Sequence, residues 1–448
     1  MLTLSPLDSR YSRYTCQLSE CMSERAYVED RIMVELKYLN ALLTILKIVP
    51  YDISRIEKIN DEEYGHFKKI EHETKHDVKA IEIFMRTWIK KYVPSFCHEE
   101  YIHYGLTSQD ANSLGFMMGC RNGLHIMLDK LFRMNAKLGV LITKCQHITI
   151  ITKTHGQPAV PSNLGKELYV HYVSIDKNIN QLKDMIKKLT VKFGGAVGNM
   201  NALTYVHPEI DWLSFSDNFV DSFGFIRSQF TTQVDDYSNL CEVLYKIILI
   251  GKQIYRMCNY VWLLISDEYF AQVPVETEIG SSTMPHKINP INFENAKGNI
   301  PLASHMLTGI IEVLMGLTYQ RDMSDSTVLR SLGSAFGYFM VAFGEICVGI
   351  DKLIPNEHKI KDDQNKYAVV IMEGIQTYLK KIGCKTAYEL AKEFSRRSDI
   401  SITLSDIHHN FIAKLDVTDD VKEHLLKLTP ETYVGIYPKL TIFDYDMT

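Results

Sequence analysis

The residues with the greatest chemical potential sit in short segments rich in glycine, proline and hydroxyl groups. Gly280-Ser281-Ser282-Thr283-Met284-Pro285-His286-Lys287-Ile288-Asn289-Pro290 combines small residues and two prolines with a lysine and an asparagine. That composition makes a poor helix and a good surface loop. A cation and an amide on such a loop are the groups needed to receive negative charge as a reaction develops it. Thr154-His155-Gly156-Gln157-Pro158 offers one imidazole, a common general acid or base, although a histidine between helices is more often structural. Gln320-Arg321-Asp322-Met323-Ser324-Asp325-Ser326-Thr327-Val328-Leu329-Arg330 supplies guanidinium forks and hydroxyls, which suit a phosphate. The plainer reading pairs those arginines with Asp322 and Asp325 on a helix surface. His72-Glu73-Thr74-Lys75-His76 reads HExxH, which on one helix face can bind zinc with the glutamate as base. Its continuation, DVKAIE, lacks the glycine and third histidine of the extended form.

The elements that must position these segments follow from proline placement. Prolines are absent from 99–157, 162–207, 209–273 and 302–354, so those spans can hold very long helices. Leu124, Met127, Leu128, Leu131, Leu138, Leu141, Ile142 and Cys145 keep the three-and-four spacing of one helical face. From Leu240 to Leu264 apolar residues wrap much of the circumference, the pattern of a helix buried among others. The expected fold is all-α and three-domain. Residues 1–105 form an N-terminal helical domain, 106–352 a central bundle of long helices, and 353–448 a C-terminal helical domain. An oligomer would cover the excess apolar faces.

Composition narrows the function classes. The chain has 448 residues and a formal net charge of −5, without the basic excess of a nucleic-acid binder. No apolar run is read as long enough for a membrane span, and the opening MLTLSPLDSRYSRYT lacks a signal-peptide core. The nine cysteines are scattered, with no CxxC pair, which argues against a zinc frame or a disulfide scaffold. The expectation is a soluble, cytoplasmic protein without nucleic-acid or membrane partners.

Taken together, the motifs resemble a known family. The 280–290 segment matches GSSxMPxKxNP, the signature of the fumarase/aspartase superfamily. Thr154–Gln157 is similar to its THGQ segment. Thr107-Ser108-Gln109-Asp110 resembles TSEDxN, with Ala111 and Ser113 departing from the commonest forms. Gly194–Asn199 resembles the NGAVGN turn, with Gly194 in place of asparagine. SPLDSRY at 5–11, HDVKAIE at 76–82, TTQ at 231–233 and the arginine segment at 320–330 point within it to the adenylosuccinate lyases of the form common in bacteria. The resemblance runs in order from residue 5 to about residue 437.

The resemblance implies elimination of fumarate from adenylosuccinate, giving AMP, and from SAICAR, giving AICAR, with no metal or organic cofactor. By the same resemblance Ser281 is the base and His155 the acid, with Lys287 and Asn289 completing the catalytic set. Arg10, Tyr11, Lys75, His76, Asp77, Thr107, Ser108, Gln233, Ser282, Arg321, Ser326 and Arg330 then hold the substrate. Lys75 stands where asparagine is common in this subgroup. The family also implies a homotetramer in which each site takes segments from three subunits. Alternatives left open are another fumarate-releasing lyase, a zinc metallopeptidase through the HExxH run, and a non-catalytic protein that keeps the fold.

Overall fold

A computed structural model describes residues 3–53, 56, 58–274, 283–284, 286–396 and 402–443. The expected all-α character holds. The N-terminal part carries α1 (Ser12–Met22), α2 (Glu24–Ile45), α3 (Asp61–Thr74) and α4 (Asp77–Tyr92). Long helices follow: α5 (Ser108–Cys145), α6 (Leu164–Ile186), α9 (Ser238–Ser266), α10 (Ile291–Leu314) and α12 (Leu332–Asp351), with α7 (Asn201–Val206), α8 (Trp212–Asp221) and α11 (Ser324–Leu329) between them. At 1.5 Å per residue, the 38 residues of α5 extend roughly 57 Å. Among the described residues that follow there are five shorter helices, α13 (Glu357–Lys366) to α17 (Asp419–Leu426).

Two compact units emerge. The first takes Met1–Leu131, Lys177–Lys252 and Gly298–Gly344; the second takes Phe132–Asp176, Gln253–Lys297 and Glu345–Thr448. In the first, Val28, Leu36, Leu39, Phe67, Ile81, Phe84 and Trp88 form a core beneath α2, α3 and α4. In the second, Ile371, Ile375, Leu379, Phe394, Ile407 and Leu425 form another among the C-terminal helices. The apolar face read from sequence on α5, from Leu124 to Cys145, is buried at every named position.

Three differences from the sequence reading stand out. A two-stranded antiparallel hairpin, β1 (Thr149–Thr154) with β2 (Gln157–Asn163), forms the segment around Thr154–Pro158, where the sequence reading has a connection between long helices with no strand in it. Proline does not end α10, which runs through Pro301. And the stretch Ser324–Asp351 is long and apolar enough to cross a membrane, contrary to the expectation that no run is. With 78% of its most apolar window buried within the protein, it belongs to the core.

Close packing in the first unit depends on missing side chains. A Cβ at Gly115 of α5 would lie 2.8 Å from Cγ of Arg31, and one at Gly119 would lie 2.4 Å from the carbonyl oxygen of Cys21. Real Cβ atoms do not approach so closely. Glycine at these two positions lets α1 and α2 press against α5, and that contact carries Tyr27 to the wall of a cavity.

Candidate active site

The first unit encloses a cavity of about 170 Å³ whose lining includes Glu24, Tyr27, Gln109, Tyr237, Arg321, Ser326 and Arg330. Charged groups crowd behind Asn112 and Arg330 of this lining. Arg31, with its side chain fully buried, donates from Nη1 to Oδ2 of Asp77 at 2.6 Å and to Oδ1 of Asn112 at 3.2 Å. Its guanidinium also lies 4.0 Å from the Tyr27 ring centroid. Arg330 donates from Nη2 to the same Asp77 oxygen at 3.1 Å and from Nη1 to Glu24. Burial alone would raise the Asp77 carboxyl, but the two guanidinium groups hold it below the usual carboxylate range. One guanidinium nitrogen of Arg31, Nη2, is buried with no hydrogen-bond partner among the described residues.

A second group of bonds ties separate motifs together. Gln109 donates from Nε2 to the Tyr237 hydroxyl at 3.1 Å, and that hydroxyl donates to Oδ2 of Asp325 at 3.0 Å. Oδ1 of Asp325 accepts the Ser326 amide at 2.7 Å and lies 3.6 Å from Nη2 of Arg321. The Arg321 side chain is 12% exposed, and its Nε is buried without a partner among the described residues. Arg321 thus pairs with Asp325, as the plainer sequence reading has it, whereas Arg330 turns to Glu24 and Asp77.

Asp110 anchors the start of α5. It accepts Lys192 Nζ at 2.6 Å, the amide of Gly194 at 2.8 Å, the amide of Gly195 at 3.2 Å and the amide of Thr107 at 2.9 Å. Four donors on one buried carboxylate lock Thr107 and Ser108 to the Gly194–Asn199 turn. Gln233 joins the same turn, donating from Nε2 to the Ala196 carbonyl at 3.1 Å.

The remaining expected binding residues of this unit are more open. Arg10 is exposed, with its guanidinium 5.9 Å from the Tyr11 ring centroid. Lys75 takes a left-handed conformation, φ 56°, as the C-cap of α3, so its side chain leaves the helix line. His76 is the N-cap of α4, its Nδ1 accepting the Lys79 amide at 3.2 Å. This break answers the HExxH reading. His72 is in the last turn of α3 and His76 begins α4, so they are not one turn apart on one helix. The single-face geometry that a zinc peptidase motif needs is lost.

The second unit carries His155, Lys287 and Asn289. His155 and Gly156 are the two central residues of the hairpin turn, with Thr154 opposite Gln157 in the register. Both have positive φ, 53° and 73°, as a type I′ turn requires. The imidazole is exposed at the tip. Lys287 is exposed, and its amide donates to the Met284 carbonyl at 3.0 Å. The Asn289 carbonyl accepts the Ile291 amide at 2.9 Å, at the entry to α10. Ser281 and Ser282 lie outside the described residues.

Three residues at this site carry no motif: Arg31, Lys192 and Tyr237. The first two left a signal. Arg31 occupies the buried stripe Val28, Ile32, Leu36 and Leu39 of α2, where a charge must have a partner. Lys192 interrupts the apolar run Leu189, Val191, Phe193 in the same way.

Comparison with known proteins places this geometry in context. Residues 10–300 match a family model described as Lyase, and residues 318–434 one described as Adenylosuccinate lyase C-terminal. The chain is 36% identical over 455 residues to an adenylosuccinate lyase of Dictyostelium discoideum, covering 98% of this chain and 97% of the relative. It is 31% identical over 446 residues to that of Escherichia coli (strain K12), covering 97% of each. Among solved structures, 3-carboxy-cis,cis-muconate lactonizing enzyme from Pseudomonas putida superposes with a TM-score of 0.77 at 18% identity, covering 95% of each chain. A fumarate lyase from Mesorhizobium sp. BNC1 gives 0.75 at 14%, covering 94% of this chain and 95% of that one. These two likenesses speak to the fold alone, which is of the fumarase/aspartase type.

Proposed function

The chain belongs to the adenylosuccinate lyase family, and from that premise we propose that it eliminates fumarate from adenylosuccinate, giving AMP, and from SAICAR, giving AICAR, in purine nucleotide biosynthesis. The observation that carries this reading is the cavity where Arg321, Ser326 and Arg330 meet Gln109 of the TSQD segment. Guanidinium groups and a hydroxyl at one cavity wall fit a substrate with a phosphate, which fumarate, aspartate and argininosuccinate lack.

The chemistry asks for few groups. A base removes the proton from the carbon beside a carboxylate, the C–N bond on the next carbon breaks, and an acid protonates the departing nitrogen. We assign Ser281 as base and His155 as acid. Charge that builds on the carboxylate is received by Lys287 and Asn289, and fixed donors of this kind give the largest rate term. Arg10, Tyr11, Lys75, His76, Asp77, Thr107, Ser108, Gln233 and Ser282 complete the substrate contacts in this assignment.

The reading includes a homotetramer in the cytoplasm, each site drawing on three subunits. Its support is the apolar surface left on long helices: Val170, Val173, Tyr245, Leu249, Leu263 and Leu302 are all at least 42% exposed. Single chains rarely leave so many large apolar side chains on regular helices without a partner. The deciding experiment measures fumarate release from adenylosuccinate beside argininosuccinate, aspartate and malate. Release from adenylosuccinate alone supports the proposal. Release only from another of the four replaces it with a different lyase, and release from none points to a non-catalytic homologue.

A further inference from the structure

We propose that Tyr237 is a positioning residue that sets the enzyme's preference for a phosphorylated substrate, by holding Arg321 and Ser326 in register with the TSQD segment. The inference rests on the function proposed above and adds to it a residue outside every family motif named in the sequence.

The geometry is specific. Tyr237 is 3% exposed. Its hydroxyl uses both of its roles, accepting from Gln109 Nε2 at 3.1 Å and donating to Asp325 Oδ2 at 3.0 Å. The two partners belong to segments far apart in the chain, at the start of α5 and in α11. The other oxygen of Asp325 takes the Ser326 amide at 2.7 Å and faces Arg321 Nη2 at 3.6 Å. One phenol therefore fixes the carboxylate that orients both a guanidinium and a hydroxyl-bearing residue of the cavity wall. Gln109, Tyr237, Arg321, Asp325, Ser326 and Arg330 all line that cavity.

Two further observations point the same way. The Tyr237 backbone has φ 57°, a left-handed conformation that a bulky residue avoids unless its surroundings impose it. The strain is sustained at the residue whose side chain bridges the two segments. Meanwhile Nε of Arg321 is buried with no partner among the described residues. A guanidinium clamped on one side by Asp325 and left with an unused donor is prepared to accept an anion. Without Tyr237's hydroxyl, one Asp325 oxygen loses its donor and can compete for Arg321, turning the fork away from the cavity.

The test compares wild type, Tyr237→Phe, Arg321→Ala and the double variant on two substrates, adenylosuccinate and its nucleoside lacking the 5′-phosphate. Tyr237→Phe keeps the ring and removes only the hydroxyl; thermal unfolding checks that each variant is folded. The readout is the ratio of kcat/KM between the two substrates. The expected result is a fall in that ratio of about tenfold in Tyr237→Phe, carried by KM for adenylosuccinate, with no further fall when the change is made in Arg321→Ala. An unchanged ratio, an equal loss on both substrates, or effects that multiply in the double variant would overturn the role given to Tyr237. A wild type that releases fumarate from neither substrate overturns the proposed function and this inference with it, a result distinct from a working wild type whose Tyr237 variant keeps its preference.

Discussion

The ammonium of Lys192 lies 2.6 Å from the carboxylate of Asp110, and neither side chain is exposed at all. Burial lowers the lysine's proton affinity while the carboxylate beside it works in the opposite sense. Removing one member strands the other charge in the interior. Lys192→Ala should therefore cost about 3–5 kcal/mol of stability. Lys192→Met combined with Asp110→Asn should cost less than Lys192→Ala alone. Urea unfolding measures both, and a Lys192→Ala loss under about 1 kcal/mol would show the pair to be unimportant for folding.

Arg321→Ala and Arg330→Ala should each weaken AMP binding by roughly 1.5–3 kcal/mol, the worth of a charge-assisted hydrogen bond. The Arg330 variant leaves Asp77 with Arg31 as its remaining guanidinium partner at 2.6 Å, so the fold should survive. Calorimetry with AMP decides the matter, and equal affinity in wild type and both variants removes these residues from the phosphate site.

Asp30, on the cavity lining, is pushed up to about 7 by burial, with Lys58 opposing and Glu29 adding to the effect. An unfolded aspartate titrates near 4 (about 3.9). Between about pH 4 and 7 the folded state keeps a proton that the unfolded state has released, so stability falls as pH rises through this window. Above it the folded protein carries the full cost of a half-buried charge. Asp30→Asn should be more stable than wild type at pH 8 by on the order of 2 kcal/mol, and the difference should vanish towards pH 4. Denaturation midpoints at the two pH values test this; a pH-independent difference assigns the effect to packing.

If three subunits build each site, inactive His155→Ala subunits mixed and reassembled with inactive Ser281→Ala subunits should recover part of the fumarate-releasing activity. Native mass spectrometry establishes whether mixed tetramers form. Mixed tetramers without recovered activity would place both residues of a working site on the same chain.

The long helices were legible because their apolar spacing is dictated by burial alone: Leu124, Leu131, Leu138 and Cys145 are each fully buried on α5. The hairpin was not, because Thr149–Asn163 is short, carries two prolines and alternates only weakly, and pairing between neighbouring strands supplies what local pattern lacks. Pro301 misled in the opposite direction, since tertiary packing of Ile300, Ala303 and Leu307, all fully buried, holds α10 together across it. At the site, motif residues such as Arg321 and Arg330 announce themselves by type and order. Tyr237 does not, because its role lies in bonds between segments 128 and 88 residues away in sequence.

The two-residue turn at His155-Gly156 also acts as a ruler. Because successive side chains of a strand point to opposite sides, one residue inserted or deleted between Thr154 and Gln157 would slip the pairing next to the turn, between it and the register shift at Ile151–Lys153, and reverse the facing of the side chains there. Ile150 and Ile151 are both buried, on opposite sides of the strand, so a slip that reached them would drive half-buried Thr149 or Thr152 into one of their places, and the imidazole would be carried elsewhere. Loops elsewhere on this chain can lengthen or shorten as lineages diverge. This one is expected to keep its length, with changes in its sequence confined to substitutions that tolerate a left-handed backbone.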